Sequence, residues 1–148
     1  MGRDKGKGAA AEVIRACIAT RLRMANRVIT KVYDDALRPL GLKVSQMAML
    51  AVAADRGLIR QSEVGAELQL DDSTLSRNLE LMRANGWLEE VSVDDARVHS
   101  YRLTQKGRTL LDRAIPAWRN AQGEAKRLLG DAAVLALRQF AREQGFGR

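Results

Sequence analysis

Residues 61–79 read Gln61-Ser62-Glu63-Val64-Gly65-Ala66-Glu67-Leu68-Gln69-Leu70-Asp71-Asp72-Ser73-Thr74-Leu75-Ser76-Arg77-Asn78-Leu79. A short helix is predicted over about Gln61 to Leu68, with Val64 and Leu68 inward. Gln69-Leu70-Asp71 follows as a linker, and Asp71 is a good N-cap for a longer helix from about Asp72 to Ala84. Leu75, Leu79 and Met82 face its core side, and Asn85-Gly86 is a stop. The first two turns of that helix crowd Ser73, Thr74, Ser76, Arg77 and Asn78 onto the solvent side. A short helix, a tight turn and a longer helix with a polar start is the layout that lowers a recognition helix into a major groove. Short hydroxyls bond phosphates or base edges, Arg fits the acceptors of guanine, and Asn those of adenine. Taken alone, the same stretch also reads as an ordinary polar helix face with capping hydroxyls.

The residues that follow decide between the two. Trp87 to Val93 alternates and is β-branched enough for a strand, Asp94-Asp95-Ala96-Arg97 reads as a turn, and Val98 to Leu103 as the returning strand. A hairpin placed directly after a helix–turn–helix is a wing. Arg97 at its tip could enter a minor groove. The alternative, an ion pair with Asp94 or Asp95, contributes little in water. Arg102 and Lys106 are further candidates for phosphate contact. His99 is the one histidine, has no Cys or His partner at metal spacing, and reads as a partly exposed strand residue.

Outside this lobe the pattern is helical. From about Ala9, apolar residues from Val13 to Leu37 recur at spacings of three and four, with Arg15, Arg23, Arg27 and Lys31 opposite. Pro39 and Gly41 end that helix, which would run roughly 40 Å at 1.5 Å per residue. Such a length suggests packing against a second chain. A second helix is expected with Ser45 as N-cap, running to Gly57, and Leu58-Ile59-Arg60 is long enough only for a bridge strand. Thr104 caps another long helix reaching about Leu128, kinked by Pro116. After Gly130, a last helix runs to about Gln144.

Composition narrows the function. The 148 residues are 46% hydrophobic and 29% charged, with a net charge of +7. That fits a soluble globular chain with affinity for polyanions. The excess sits at the ends: residues 1–31 carry a net +6 and residues 109–148 a net +3, whereas residues 60–108 carry −2. Residues 1–8, with three glycines and three basic side chains, read as a disordered basic arm. No signal core or membrane-spanning run is seen, so a cytoplasmic protein with no membrane partner is expected. One cysteine and one histidine leave no metal site to expect. No Gly-rich phosphate loop, no carboxylate pair beside a His and no Ser–His arrangement appears, so neither an enzyme nor a cofactor is expected. Cys17 lies mid-helix beside Ile14 and Ile18 and reads either as a small apolar filler or as a redox-responsive thiol, activated by Arg15 and Arg21.

From Gln61 to Gly107 the chain resembles the DNA-binding domain of MarR-family transcription regulators. Leu70 to Leu79 is similar to that family's recognition helix, and Asn85-Gly86-Trp87-Leu88 to its helix-to-strand step. Asp95-Ala96-Arg97 with Leu103-Thr104-Gln105-Lys106-Gly107 is similar to its D-x-R…L-T-x-x-G wing signature. Tyr33-Asp34, Leu40-Gly41-Leu42 and Gln46 extend the resemblance, which covers about residues 12–144. It implies a homodimer binding double-stranded DNA at a palindromic operator, with recognition helices roughly 34 Å apart. Ser73, Thr74, Ser76, Arg77 and Asn78 would then read the major groove and Arg97 the minor. It further implies repression relieved by a small phenolic or aromatic effector in a crevice lined by Tyr33, Met47, Leu50 and Trp118, each of which also fits plain core packing. Departures are Asp72, where relatives often carry a phosphate binder, Gly65 in place of Ala and Gln69 in place of Gly. The reactive cysteine of the peroxide-sensing branch corresponds to Ala19, and Cys17 is about 200° away on the helix.

The expected fold is mainly α (α+β): a winged helix–turn–helix over 45–104, with long N- and C-terminal dimerisation helices over 9–40 and 105–146. Two alternatives remain: a redox-responsive regulator acting through Cys17, and a winged-helix protein-interaction module without operator binding, which Asp72 and the acidic middle would favour.

Overall fold

The computed structural model describes residues 3–92 and 98–145. Its helices are α1 (Arg3–Ala16), α2 (Ile18–Leu37), α3 (Val44–Arg56), α4 (Gln61–Leu68), α5 (Asp72–Ala84), α6 (Gln105–Leu129) and α7 (Asp131–Glu143). The strands are β1 (Leu58–Arg60), β2 (Leu88–Val91) and β3 (Ser100–Leu103). The fold is a winged helix, mostly helical with a small antiparallel sheet.

Two expectations at the N-terminus are corrected. The segment read as a disordered arm gives residues 3–8 to α1. Ala9-Ala10-Ala11 are strong helix formers, and extending an existing helix is far easier than nucleating one, which offsets about 1 kcal/mol per interior glycine. The single long first helix is instead two, because Cys17 leaves the helical region with ψ 111°. The break is local. Cys17 N–H still donates to the Val13 carbonyl at 3.1 Å, and Arg21 N–H donates to the Cys17 carbonyl at 3.1 Å. The Arg21 guanidinium donates to the Arg15 carbonyl.

Helix α3 also starts earlier than read, with Lys43 rather than Ser45 at the cap. The first donors find one distant acceptor and one local one. Val44 N–H donates to Asp34 Oδ1 of α2 at 2.8 Å, and Lys43 N–H to Gln46 Oε1 at 3.0 Å. The residues read as a bridge strand, 58–60, are a full edge strand. The sheet order is β1-β3-β2, with Ile59 opposite Tyr101 and Glu90 opposite Tyr101 on the other side. Helix α6 is continuous through Pro116.

Leu37, Met49, Leu50, Ile59, Leu75 and Leu79 form the centre of one core that joins α2, α3, α5 and the sheet. Helix α2 lies along α6, and α7 folds onto α6. Much apolar surface stays outside. Ile14 is 77% exposed and Phe140 58%, and Val13, Ile18, Leu22, Val28 and Leu135 are exposed with them. No helix among the described residues is long and apolar enough to cross a membrane.

The turn between α4 and α5 carries strain. Gln69 sits at φ 51°, ψ 44°, a left-handed conformation that glycine adopts freely. Gln69→Gly is expected to raise stability by about 1 kcal/mol, because a non-glycine residue there costs about 1–2 kcal/mol. Urea unfolding checks this. A lower midpoint would mean that the bond from Gln69 Nε2 to the Ala66 carbonyl, 2.5 Å long, outweighs the strain.

Candidate nucleic-acid interface

Helix α5 is held at its start by Asp71. Its carboxylate accepts from Thr74 N–H at 2.9 Å and from the Thr74 hydroxyl at 2.6 Å. Those two bonds, the hydroxyl first, hold the Asp71 carboxyl below the ordinary carboxylate range. Helix α4 meets α5 closely: a Cβ on Gly65 would stand 2.9 Å from Leu75 Cδ2. Leu75, Leu79 and Met82 point into the core, which fixes the outward face of α5 by helical spacing.

That outward face is Ser73, Arg77 and Glu80, all exposed. Arg77 Nε donates to the Ser73 carbonyl at 3.1 Å, which steadies the guanidinium and leaves its two terminal nitrogens for a ligand. The other three residues expected to read bases have internal partners. Thr74 serves the cap. Ser76 Oγ accepts from Gln61 Nε2 at 3.0 Å. Half-buried Asn78 accepts through Oδ1 from Gln46 Nε2 at 3.3 Å. The structure thus leaves Ser73, Ser76 and Arg77 exposed, ties Thr74 into the cap of its own helix and turns Asn78 toward α3.

Glu80 was missed by the sequence reading, although its spacing of three from Arg77 and seven from Ser73 places it on their face. Asp72, exposed in the first turn, adds a second acid to the start of the helix. Both disfavour loose phosphate contact, and Glu80 can accept from the cytosine amino group.

On the wing strands, Arg102 pairs with Glu89 across the β2–β3 register, Nε to Oε1 at 2.9 Å. Both side chains are exposed, so DNA phosphate could compete for the guanidinium. His99 Nδ1 lies 2.7 Å from Glu90 Oε1. Lys106, exposed at the start of α6, would touch a side chain placed on Gly86. Arg97 and the turn Asp94-Asp95-Ala96 lie outside the described residues.

Of the four crevice candidates, two meet. A cleft of about 790 Å³ between α3 and α6 is lined by Met47 and Trp118, with Val44, Ala51, Leu68 and Ile115. Arg119 and Asp55 are its charged residues. Leu50 is corrected: it is 0% exposed and belongs to the core. Half-buried Tyr33 does not line this cleft: its hydroxyl donates to Gln122 Oε1 of α6, and burial pushes its phenol up. Half-buried Cys17 stands at the α1–α2 break. The Thr20 hydroxyl and then its N–H draw the Cys17 thiol below its usual range. No cluster of three or more His, Cys, Asp or Glu able to hold a metal occurs among the described residues.

No protein-family model matches the chain. Among curated proteins, an uncharacterized HTH-type transcriptional regulator of Bacillus subtilis, YwoH, is 27% identical over 86 residues, which are 58% of this chain and 63% of that relative. The M. tuberculosis transcriptional regulator MosR, solved in complex with DNA, is 36% identical with a TM-score of 0.71, covering 86% of this chain and 97% of that one. A Cys-to-Ser variant of E. coli MarR, complexed with operator DNA, has the same fold at 19% identity, with a TM-score of 0.76 over 89% of this chain and 96% of that one. The wing and recognition helix built above, and this extent of likeness to MosR, place the chain in the MarR family of transcriptional regulators.

Proposed function

We propose that the chain is a DNA-binding transcriptional regulator: a homodimeric repressor of a palindromic operator, released by a small aromatic ligand. The observation that carries the reading is the outer surface of α5, where Arg77 is steadied on the Ser73 carbonyl above a firmly capped helix start. A preset guanidinium at a helix N-terminus suits bidentate contact with guanine or phosphate. Arg97, Arg102 and Lys106 would add wing contacts, and the solution of MosR with DNA supports DNA as the partner class.

The second copy is supported by the exposed apolar stripe on α1, α2 and α7, which is larger than isolated surface residues explain. The effector reading is supported by the α3–α6 cleft, where Trp118 offers a ring to stack on and Arg119 a cation for an acidic group. Sedimentation should give twice the chain mass, and Leu22→Asp should give the single-chain mass. Binding to an enriched duplex should weaken steeply with salt, as counterions are released at each phosphate contact. A flat salt response, or a wild-type monomer, would contradict the reading.

A second reading is favoured by Cys17, whose thiolate is stabilised by Thr20 at a backbone break. Under it, peroxide should weaken DNA binding in the wild type and not in Cys17→Ser. Equal responses of the two proteins would remove it.

A further inference from the structure

The least expected side chain in the core is Gln46. It is 3% exposed, and Gln46 and Ser100 are the buried polar residues among those described. A buried amide is tolerated only with its bonds made. Gln46 makes them in two directions: Oε1 accepts from Lys43 N–H, and Nε2 donates to Asn78 Oδ1. Lys43 and Gln46 belong to the start of α3, whereas Asn78 lies on the recognition helix, on the flank turned toward α3.

The start of α3 is tied a third way. Asp34 Oδ1 on α2 accepts from Val44 N–H. Asp34 follows Tyr33, which is bonded to Gln122 of α6. Separate side-chain bonds thus tie α6 to α2, α2 to the start of α3, and the start of α3 to α5, joined between them by adjacent backbone. Asn78 is the residue after Arg77, so the bond from Gln46 holds the helix turn from which Arg77 projects. The residue after Gln46 is Met47, which lines the cleft with Trp118. The same helix turn that faces the cleft thus carries the anchor of the recognition helix.

We infer that Gln46 is a positioning residue: through Asn78 it sets the orientation of α5 relative to the start of α3, which Asp34 ties to α2. Asn78 then serves the protein frame more than the bases. The inference deepens the proposed function and rests on it where DNA is concerned, but the anchor itself is a property of the free protein.

The test uses Gln46→Met, which keeps length and helix propensity and removes both bonds, and Asn78→Leu, which removes the partner alone. In the free protein, amide hydrogen exchange across residues 75–82 should speed up by about tenfold in either variant, the usual worth of one buried hydrogen bond. The double variant should add little to either single one. On DNA, the ratio of affinity for a duplex enriched from a random library to that for a scrambled duplex should fall by about tenfold, since orientation is lost and charge is kept. A merely structural role would lower stability and leave that ratio unchanged. Unchanged exchange in α5, or single effects that simply add, would overturn the inference. If Gln46→Met does not fold, the hydrogen exchange of α5 in Asn78→Leu decides alone. If the wild type prefers no sequence, the proposed function fails, and the exchange experiment still judges the anchor.

Discussion

Gly107→Ala should lower stability by about 3 kcal/mol or more, at the upper end for overpacking a tight site. A methyl group there would run into the Trp87 carbonyl oxygen and stand 2.7 Å from Leu103 Cδ1. The carbonyl cannot retreat. The Trp87 carbonyl already accepts from Thr104 N–H at 3.1 Å. The Thr104 hydroxyl donates to the Gly86 carbonyl at 2.6 Å while accepting from Gly107 N–H at 3.0 Å. The start of α6 is thus clamped onto the entry to β2, and only a residue without a side chain fits between. This is the physical content of the glycine in the wing signature. The unfolding midpoint should fall by roughly 10 °C, at about 2–4 °C per kcal/mol for a chain of this size. An unchanged midpoint would mean the approach of α6 to Trp87 is looser than described.

Arg77→Ala should cost about 1–3 kcal/mol of specific DNA binding, a loss of roughly 5- to 150-fold, if its terminal nitrogens reach a base edge. Arg77 is the cation on the outer face of α5, between Ser73 and Glu80, and its Nε is already spent on the Ser73 carbonyl. Its removal leaves Glu80 unopposed on that face, so the remaining charge repels phosphate. Binding to a scrambled duplex should fall much less than binding to the enriched one. Arg77→Lys should recover little, since an ammonium cannot make the paired contact. Fluorescence titration at fixed salt measures both. Wild-type affinity in Arg77→Ala would remove Arg77 from the site.

Much of the lobe was legible because its signals are local. The α4 and α5 boundaries follow from apolar spacing, and the Asp71 cap from one residue type in one place. Gln69, noted as a departure from glycine, is the described non-glycine residue with positive φ. What escaped depends on contacts distant in sequence. Ala16-Cys17-Ile18 contains no helix breaker, so the α1–α2 break could not be read. The cap of α3 comes from Asp34, ten residues earlier, and the partner of Asn78 from Gln46, thirty-two residues away. Leu50 and Met47 share a helix and an apolar character. Periodicity says that both are inside, and only packing says that Met47, buried in the same core, also lines a cleft. Polar residues at the start of α5 looked alike in sequence, yet their bonds set Asn78, held by Gln46 of α3, apart from exposed Ser73, Ser76 and Arg77 and from Thr74 in the cap.

The central claim is that this chain reads a DNA sequence with α5 and its wing. Selection of bound duplexes from a random library at moderate salt tests it most directly. An enriched palindrome with half-sites about one helical turn apart is the predicted result. No enrichment over the starting library would contradict the claim and leave the fold as a protein-interaction module, with Asp72 and Glu80 the first residues to examine.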